Sequence, residues 1–213
     1  MAAGLHHDRI RLDARVDWIR RRPEYIEVKA RGGLPERYDR VFLACHSDQA
    51  LKLLADPTPQ EREVLGAIGY QRNEAVLHTD DSLMPRRRRA WAAWNYHVPE
   101  GPMDPDGKVT LTYNMNILQG LEARKQYLVT LNNDRHIDPG KVIRTVQYEH
   151  PIYSRESVAA QGRQAEINDD RTFFCGAYWR NGFHEDGVVS ALNALEHFEE
   201  RLADGQLHLR RAS

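Results

Sequence analysis

Phe173-Phe174-Cys175-Gly176-Ala177-Tyr178-Trp179, then Gly182-Phe183-His184-Glu185-Asp186-Gly187-Val188-Val189-Ser190-Ala191-Leu192, spell a strand, a glycine-bearing loop and a helix. The pattern predicts a strand over 172–175, a loop over 176–187 and a helix over 187–202 with Val188, Ala191, Leu192, Leu195 and Phe198 on one side. A helix start carries amides without intrahelical partners and a positive partial charge, which suits an anionic or electron-rich ligand edge. A glycine just before it lets a ligand approach the backbone closely. An ordinary strand-to-helix connection, capped by Glu185 and Asp186, has the same spacing, so the glycine motif alone does not separate the two readings.

Working outward, Val41 to Cys45 is a continuous apolar run and predicts a central strand covered on both faces, as in parallel sheets. Before it, 10–12, 16–19 and 25–30 read as strands of a meander that ends at Gly32-Gly33-Leu34-Pro35. After it, Ser47 is the expected N-cap of a helix through Leu54. Thr58, with Pro59 behind it and Glu61 three residues on, is expected to close a capping box on a second helix. From about 73 to 150 the pattern is strand-like: 74–79, 90–97, 109–114, 127–131 and 144–150, with 98–108 as a loop. A helix is expected over 154–165, and the tail 206–213 is expected to fray.

The chain has 213 residues, 41% apolar and 29% charged, which fits a globular fold with a real core and excludes wholesale disorder and a disulfide scaffold. Thirty basic residues against thirty-one acidic give a net charge of -1, and a nucleic-acid binder ordinarily gathers a basic excess into one patch. Nucleic acid is therefore disfavoured as a partner, and Arg86 to Arg89 reads as a solvated turn. Cys45 and Cys175 lack zinc-site spacing and read as buried thiols. Ten histidines form neither an H-E-x-x-H nor an H-x-H motif, so no metal is expected. No stretch has the length of a membrane span and the start has no signal-peptide pattern, so a cytoplasmic location is expected.

Trp94, Tyr96 and Tyr113 sit in two candidate strands, with Asn95, Asn114 and Asn116 beside them. Period-two alternation puts Trp94 and Tyr96 on one face, where they serve either as core or as the wall of a pocket. Trp94, Tyr96, Tyr113 and Asn114 are the pocket candidates. No nucleophile, base or triad can be assembled from linear order, and no catalytic residue is named.

The stretch from Phe174 to Leu192 resembles the carboxy-terminal flavin motif of FAD-dependent oxidoreductases of the flavin amine oxidase and phytoene desaturase type. His46-Ser47-Asp48-Gln49-Ala50-Leu51, Arg89-Ala90-Trp91-Ala92-Ala93-Trp94-Asn95-Tyr96, Leu111-Thr112-Tyr113-Asn114-Met115-Asn116 and Phe174-Cys175-Gly176-Ala177-Tyr178 look like a bacterial set of NAD/FAD-binding amine oxidase-like proteins. The resemblance runs from about Ile10 to Phe198. It implies an α/β (α+β) fold in which a partial FAD/NAD(P)-binding domain carries an inserted, mainly antiparallel-sheet substrate domain. The implied domains are 1–49 and 166–204 for the cofactor, 50–165 for the substrate, and 205–213 as a tail.

By the same resemblance FAD is the cofactor. Gly176 and the Gly187-Val188 helix start would face the flavin ring, Val16 and the Ala44-Cys45 strand end would lie along the adenine side, and Ala177, Glu185 and Asp186 would be further cofactor-binding residues. Many amine oxidases carry an acidic residue after this glycine, where this chain has Ala177. The family's G-x-G-x-x-G turn, which seats the pyrophosphate on a helix amino end, is formed by none of the fourteen glycines. The chain is therefore expected to correspond to the carboxy-terminal part of a longer enzyme and to use a separate amino-terminal Rossmann segment. A small-molecule substrate, lipid-like or an amine, is expected. The alternatives are a β-rich module that binds an acyl ligand without catalysis, and a remnant without activity.

Overall fold

The computed structural model describes residues 9–98, 110–133, 136–169 and 171–203. The chain divides into two compact units, one drawn from 1–69 and 151–213, the other from 70–150. The boundaries fall at 69/70 and 150/151, where the sequence reading has 49/50 and 165/166.

In the first unit β1 (Val16–Arg21), β2 (Ile26–Ala30) and β3 (Glu36–Tyr38) form an antiparallel meander, with Ile19 opposite Val28 and Ile26 opposite Tyr38; two of its strands are the expected ones, and the third lies after Pro35 and not at 10–12. Ile26 of β2 is completely buried, while Glu27, Val28, Lys29 and Ala30 are all half-buried, so the apolar–charged alternation of the sequence is not matched by an alternation in burial. Residues 10–12 form no strand: Asp13, at φ 52, turns the chain there.

Two short helices follow, α1 (Ser47–Leu53) and α2 (Pro59–Gly66). The N-cap of α1 is His46 and not Ser47, which is buried inside the first turn. The capping box on α2 forms as expected: the Glu61 N–H donates to Thr58 Oγ1 at 3.1 Å, and the Thr58 N–H donates to Glu61 Oε2 at 2.7 Å.

Glu61 is 3% exposed, and its charge is answered by Arg21 at the end of β1, which donates through both terminal nitrogens at 2.6 and 2.9 Å. Removing one member of such a pair strands the other charge in low dielectric. Arg21→Ala is therefore expected to cost about 3 kcal/mol in urea unfolding, with Arg21→Lys recovering only part because a lysine cannot make the two-pronged contact.

The apolar run after the meander forms β4 (Val41–Leu43), which pairs in parallel with β10 (Thr172–Phe174), Phe42 opposite Phe173. Among the described residues this sheet has only those two strands, so β4 is not the central, doubly covered strand the sequence predicts; Phe42 is 39% exposed. One face is covered by α6 (His184–Ala203): Phe173, Cys175 and Ala194 pack together, with Ala191 and Phe198 against them. Phe42 stacks on Phe173 at 4.8 Å, and Phe198 meets both rings edge-on. The single helix expected over 154–165 is two, α4 (Arg155–Gln161) and α5 (Gln164–Ile167), separated at Gly162 and Arg163.

The second unit is a five-stranded sheet. β5 (Tyr70–His78), β6 (Trp94–His97), β7 (Thr110–Asn114), β8 (Leu128–Leu131) and β9 (Val142–Pro151) lie in the order β6-β7-β8-β5-β9, the first three pairings antiparallel. β6 starts at Trp94 and not at 90, because 88–90 form a 3-10 turn and Asn95 folds its side chain back onto the backbone of Ala92. A helix that the strand-like pattern hides, α3 (Met115–Gln119), is capped by Asn114 and closed by Gly120 at φ 63. Arg86 to Arg89 are exposed, as expected for a solvated turn. The expected 98–108 loop falls almost wholly outside the described residues, as does the tail. No helix among the described residues is long and apolar enough to cross a membrane.

Candidate functional site

Ligands of parallel sheets sit beyond the carboxyl ends of the strands, where loops and helix starts converge. At that end of β4 and β10 the chain brings together Cys45, Gly176, Ala177 and Gly187. The backbone of Gly176 has φ 157, outside the range of ordinary side-chain-bearing residues. A Cβ there would stand 2.5 Å from Cε1 of the buried Tyr178 ring and 3.3 Å from the Cys45 carbonyl oxygen. Only glycine fits this turn. Gly187 lies against Ala177, with 4.0 Å from its notional Cβ to that residue's Cβ and amide nitrogen.

The loop is held by buried polar side chains that the sequence reading misses. Ser190 Oγ accepts from the Gly176 N–H at 2.8 Å and donates to the Gly187 carbonyl at 2.9 Å. Gln164 Nε2 donates to the carbonyls of Phe174 and Ser190, and Asn168 Oδ1 accepts from the Phe174 N–H at 2.7 Å. Gln161 Nε2 donates to the carbonyls of Tyr178 and Arg180. Gln161 closes α4, Gln164 opens α5 and Asn168 caps it, so the three amides come from both sides of the break at Gly162 and Arg163. Their spacing in the sequence, three and then four residues apart, is the one signal that groups them.

The helix start differs from expectation. α6 begins at His184, three residues early, and the Gly187 N–H donates to the Phe183 carbonyl at 3.2 Å. Gly187 therefore cannot present a bare amide. Glu185 and Asp186 lie inside the first turn and not outside it, and Asp186, 6% exposed, points back: its Oδ2 accepts from the N–H groups of Asn181 and Phe183 at 3.2 and 3.0 Å. Asp186 is thus a support of the loop, while Glu185 and Val188 are exposed.

On the other side of Cys45 lies a cavity of about 560 Å³ lined by Arg15, Val16, Cys45, Gln49, Lys52 and Leu53. Two of its walls are apolar and two carry cations, and Lys52 pairs with Asp48 at 2.6 Å. Val16 lines this cavity; the neighbouring Ala44 is exposed beside Cys45. Burial pushes the Cys45 thiol up, helped by Asp48 and Cys175, and burial does the same to Cys175. Neither is a ready thiolate. Cys175 is buried as expected, whereas Cys45 is only half-buried.

In the second unit the pocket candidates separate. Trp94 stands opposite Tyr113, and Tyr96 opposite Leu111, so Trp94, Tyr96 and Tyr113 share one face; Trp94 and Tyr113 meet edge-on at 5.2 Å. Trp94 is 51% and Tyr96 60% exposed, which rules out a packed-core role for these two. Asn114 is on the opposite face, fully buried, where its Oδ1 accepts from the Ile117 N–H and its amide donates to Gln126. It is a helix cap and not a neighbour of the aromatics.

The protein's fold is shared with a CLA-producing fatty acid isomerase from P. acnes (13% identity, TM-score 0.55, 89% of this chain and 47% of that one). It is shared also with cyclohexylamine oxidase from Brevibacterium oxydans IH-35A (12%, 0.59, 93% and 51%) and with a cofactor-binding redesign of putrescine oxidase (12%, 0.54, 87% and 48%). The chain spans about half the length of these proteins. No protein-family profile and no curated protein matches it. The mixed α/β architecture with antiparallel sheets is thus shared with these proteins at the level of fold.

Proposed function

We propose that this chain is the carboxy-terminal portion of an FAD-dependent oxidoreductase of amine oxidase type, which moves a hydride or electrons from an apolar or amine substrate to the flavin. The observation that carries the reading is the turn at Gly176, where the backbone is stripped of side chain at the carboxyl ends of two parallel strands and anchored by Ser190 from the helix beside it. The Cβ position of Gly176 is filled by the Tyr178 ring, so a flat ligand edge would approach along the backbone of the turn and not through that position. Ala177 and Gly187 add a surface with no long side chain, and Val188 lies one residue further along the helix. Val16 and Leu53 supply apolar walls and Arg15 a cation in the cavity on the other side of Cys45, a combination suited to an adenine nucleotide.

When bound, FAD supplies the electron acceptor, so this chain needs no nucleophile or triad. Its own residues bind and orient. Trp94, Tyr96 and Tyr113 offer an apolar, π-rich face to the substrate. The pyrophosphate cradle would come from a separate amino-terminal Rossmann segment with the glycine fingerprint, which would also give β4 a second parallel neighbour.

The exposed aromatic face favours one further reading, a module that binds an acyl chain without flavin. Titration with FAD, alone and with a separately produced upstream glycine-rich segment, distinguishes them. Weak binding alone and a bound yellow chromophore with a shifted visible spectrum in the presence of the segment is the expected result. No bound flavin under either condition ends the oxidoreductase reading, and acyl chains retained in native mass spectrometry would then favour the module.

A further inference from the structure

One row of side chains in the second unit is unlike the rest of either core. On the buried face of the sheet, His97 of β6, Thr112 of β7, Thr130 of β8 and His78 of β5 join in sequence across four adjacent strands. His97 Nε2 to Thr112 Oγ1, Thr112 Oγ1 to Thr130 Oγ1, and Thr130 Oγ1 to His78 Nε2 are each 2.8 Å. His78, Thr112 and Thr130 have no exposed surface, and His97 is half-buried.

The direction of the row is set at one end. The Asp80 N–H donates to His78 Nδ1 at 3.1 Å, and a backbone N–H can only donate. Neutral His78 therefore carries its proton on Nε2 and gives it to Thr130. With that bond fixed, every donor in the row finds an acceptor only if Thr130 donates to Thr112 and Thr112 donates to His97 Nε2. His97 is then held with its own proton on Nδ1.

We propose that the His97–Thr112–Thr130–His78 row is a pH-sensing relay, in which the acid–base state of His97 is coupled to the fixed donor at His78 across the sheet. Taking up a solvent proton at His97 Nε2 turns that atom from acceptor to donor. Thr112 must then accept from His97, and because Thr130 already accepts from His78, one hydroxyl proton in the row loses its partner. No covalent bond within the protein breaks; the charge rises by one. A buried donor left unpaired is costly, so the row resists protonation at its outer end. By linkage, any change that frees His78 to accept must ease protonation of His97.

The groups facing the two ends act alongside. Burial and the neighbouring His136 both hold the His97 imidazole below its ordinary range. Burial does the same to His78, with Asp80 opposing and Lys141 adding to it. None of these reaches His97 through Thr130, which makes the coupling separable from them.

Nitrogen NMR of the whole chain labelled at histidine reads the arrangement directly. The expected result is the Nε2–H tautomer for neutral His78, the Nδ1–H tautomer for neutral His97, and a low His97 midpoint. His78→Gln places an amide whose oxygen can accept from Thr130, so the row can reverse, and the His97 midpoint should rise by about one pH unit, a tenfold gain in proton affinity. Thr130→Ser keeps the hydroxyl and should leave it unchanged. A His97 found as the Nε2–H tautomer in the unaltered protein overturns the proposal even if His78→Gln fails to fold. So does a folded His78→Gln chain with the His97 midpoint unmoved.

Discussion

Gly176→Ala should lower the unfolding free energy by about 3 kcal/mol, and Gly187→Ala should lower it not at all, although both glycines sit in the same loop-helix junction. At Gly176 the added methyl would collide with a ring edge 2.5 Å away, and that ring belongs to Tyr178, 3% exposed and 5.0 Å from Trp179. The ring has nowhere to go, and the backbone at φ 157 is strained for any residue with a Cβ. At Gly187 the methyl would make an ordinary 4.0 Å contact with Ala177 inside the first turn of α6, where alanine is the better helix former by up to about 1 kcal/mol. Urea unfolding of the two variants makes the comparison within one experiment. Equal stability losses would mean that the turn adapts and that its bareness is not demanded by its own packing.

That contrast also marks what the sequence discloses. The strand, the glycine and the helix are readable at 172–203 because apolar runs and helical spacing are local signals. The start of α6 is not, because Asp186 bonds backward to Phe183 and Asn181 and so draws His184 and Glu185 into the helix, a side-chain choice that no hydrophobic pattern encodes. β4 misleads for a related reason: an apolar run reports burial that a neighbour would supply, and among the described residues β4 has one parallel partner, β10. Trp94, Tyr96 and Tyr113 share a face as period two requires, but alternation cannot say which face of a sheet is covered. Here the polar set, Asn95, Thr112, Asn114, Thr130 and His78, is the buried one, made tolerable by hydrogen bonds that exist only after β5, β6, β7 and β8 have paired. Asn114, a pocket candidate in the sequence reading, follows Tyr113 directly and so takes the opposite face, where it caps α3 and donates to Gln126.

The same buried polarity makes acid the condition under which the second unit should fail, and Asp80 is the group to remove. Asp80 is 2% exposed; its Oδ1 accepts from the Ser82 N–H at 3.2 Å and from Lys141 Nζ at 2.9 Å, and its Oδ2 accepts from the Asp138 N–H at 2.9 Å. Burial alone would push its carboxyl up, but the Asp138 amide, Lys141 and Ser82 outweigh it and hold the group far below the usual carboxylate range. A carboxyl depressed in the fold stabilises it fully above its unfolded pKa of about 4 and loses that contribution as pH falls through the folded value. His78, an imidazole held low, works in a higher window: the unfolded chain takes up its proton near pH 6.5 while the fold resists, so stability begins to fall there as the solution is acidified. Asp80→Asn should therefore cost about 3 kcal/mol at pH 7, since an amide cannot accept from all three donors and leaves a buried N–H facing its own NH₂. The gap between variant and unaltered chain should widen slightly from pH 7 to 5, because without the Asp80 charge the fold resists His78 protonation more strongly, and should close below about pH 4 as the unaltered carboxyl loses its advantage. Urea midpoints at pH 7, 5 and 3 test this, and a gap that persists undiminished at pH 3 would show that Asp80 acts by shape and not by charge.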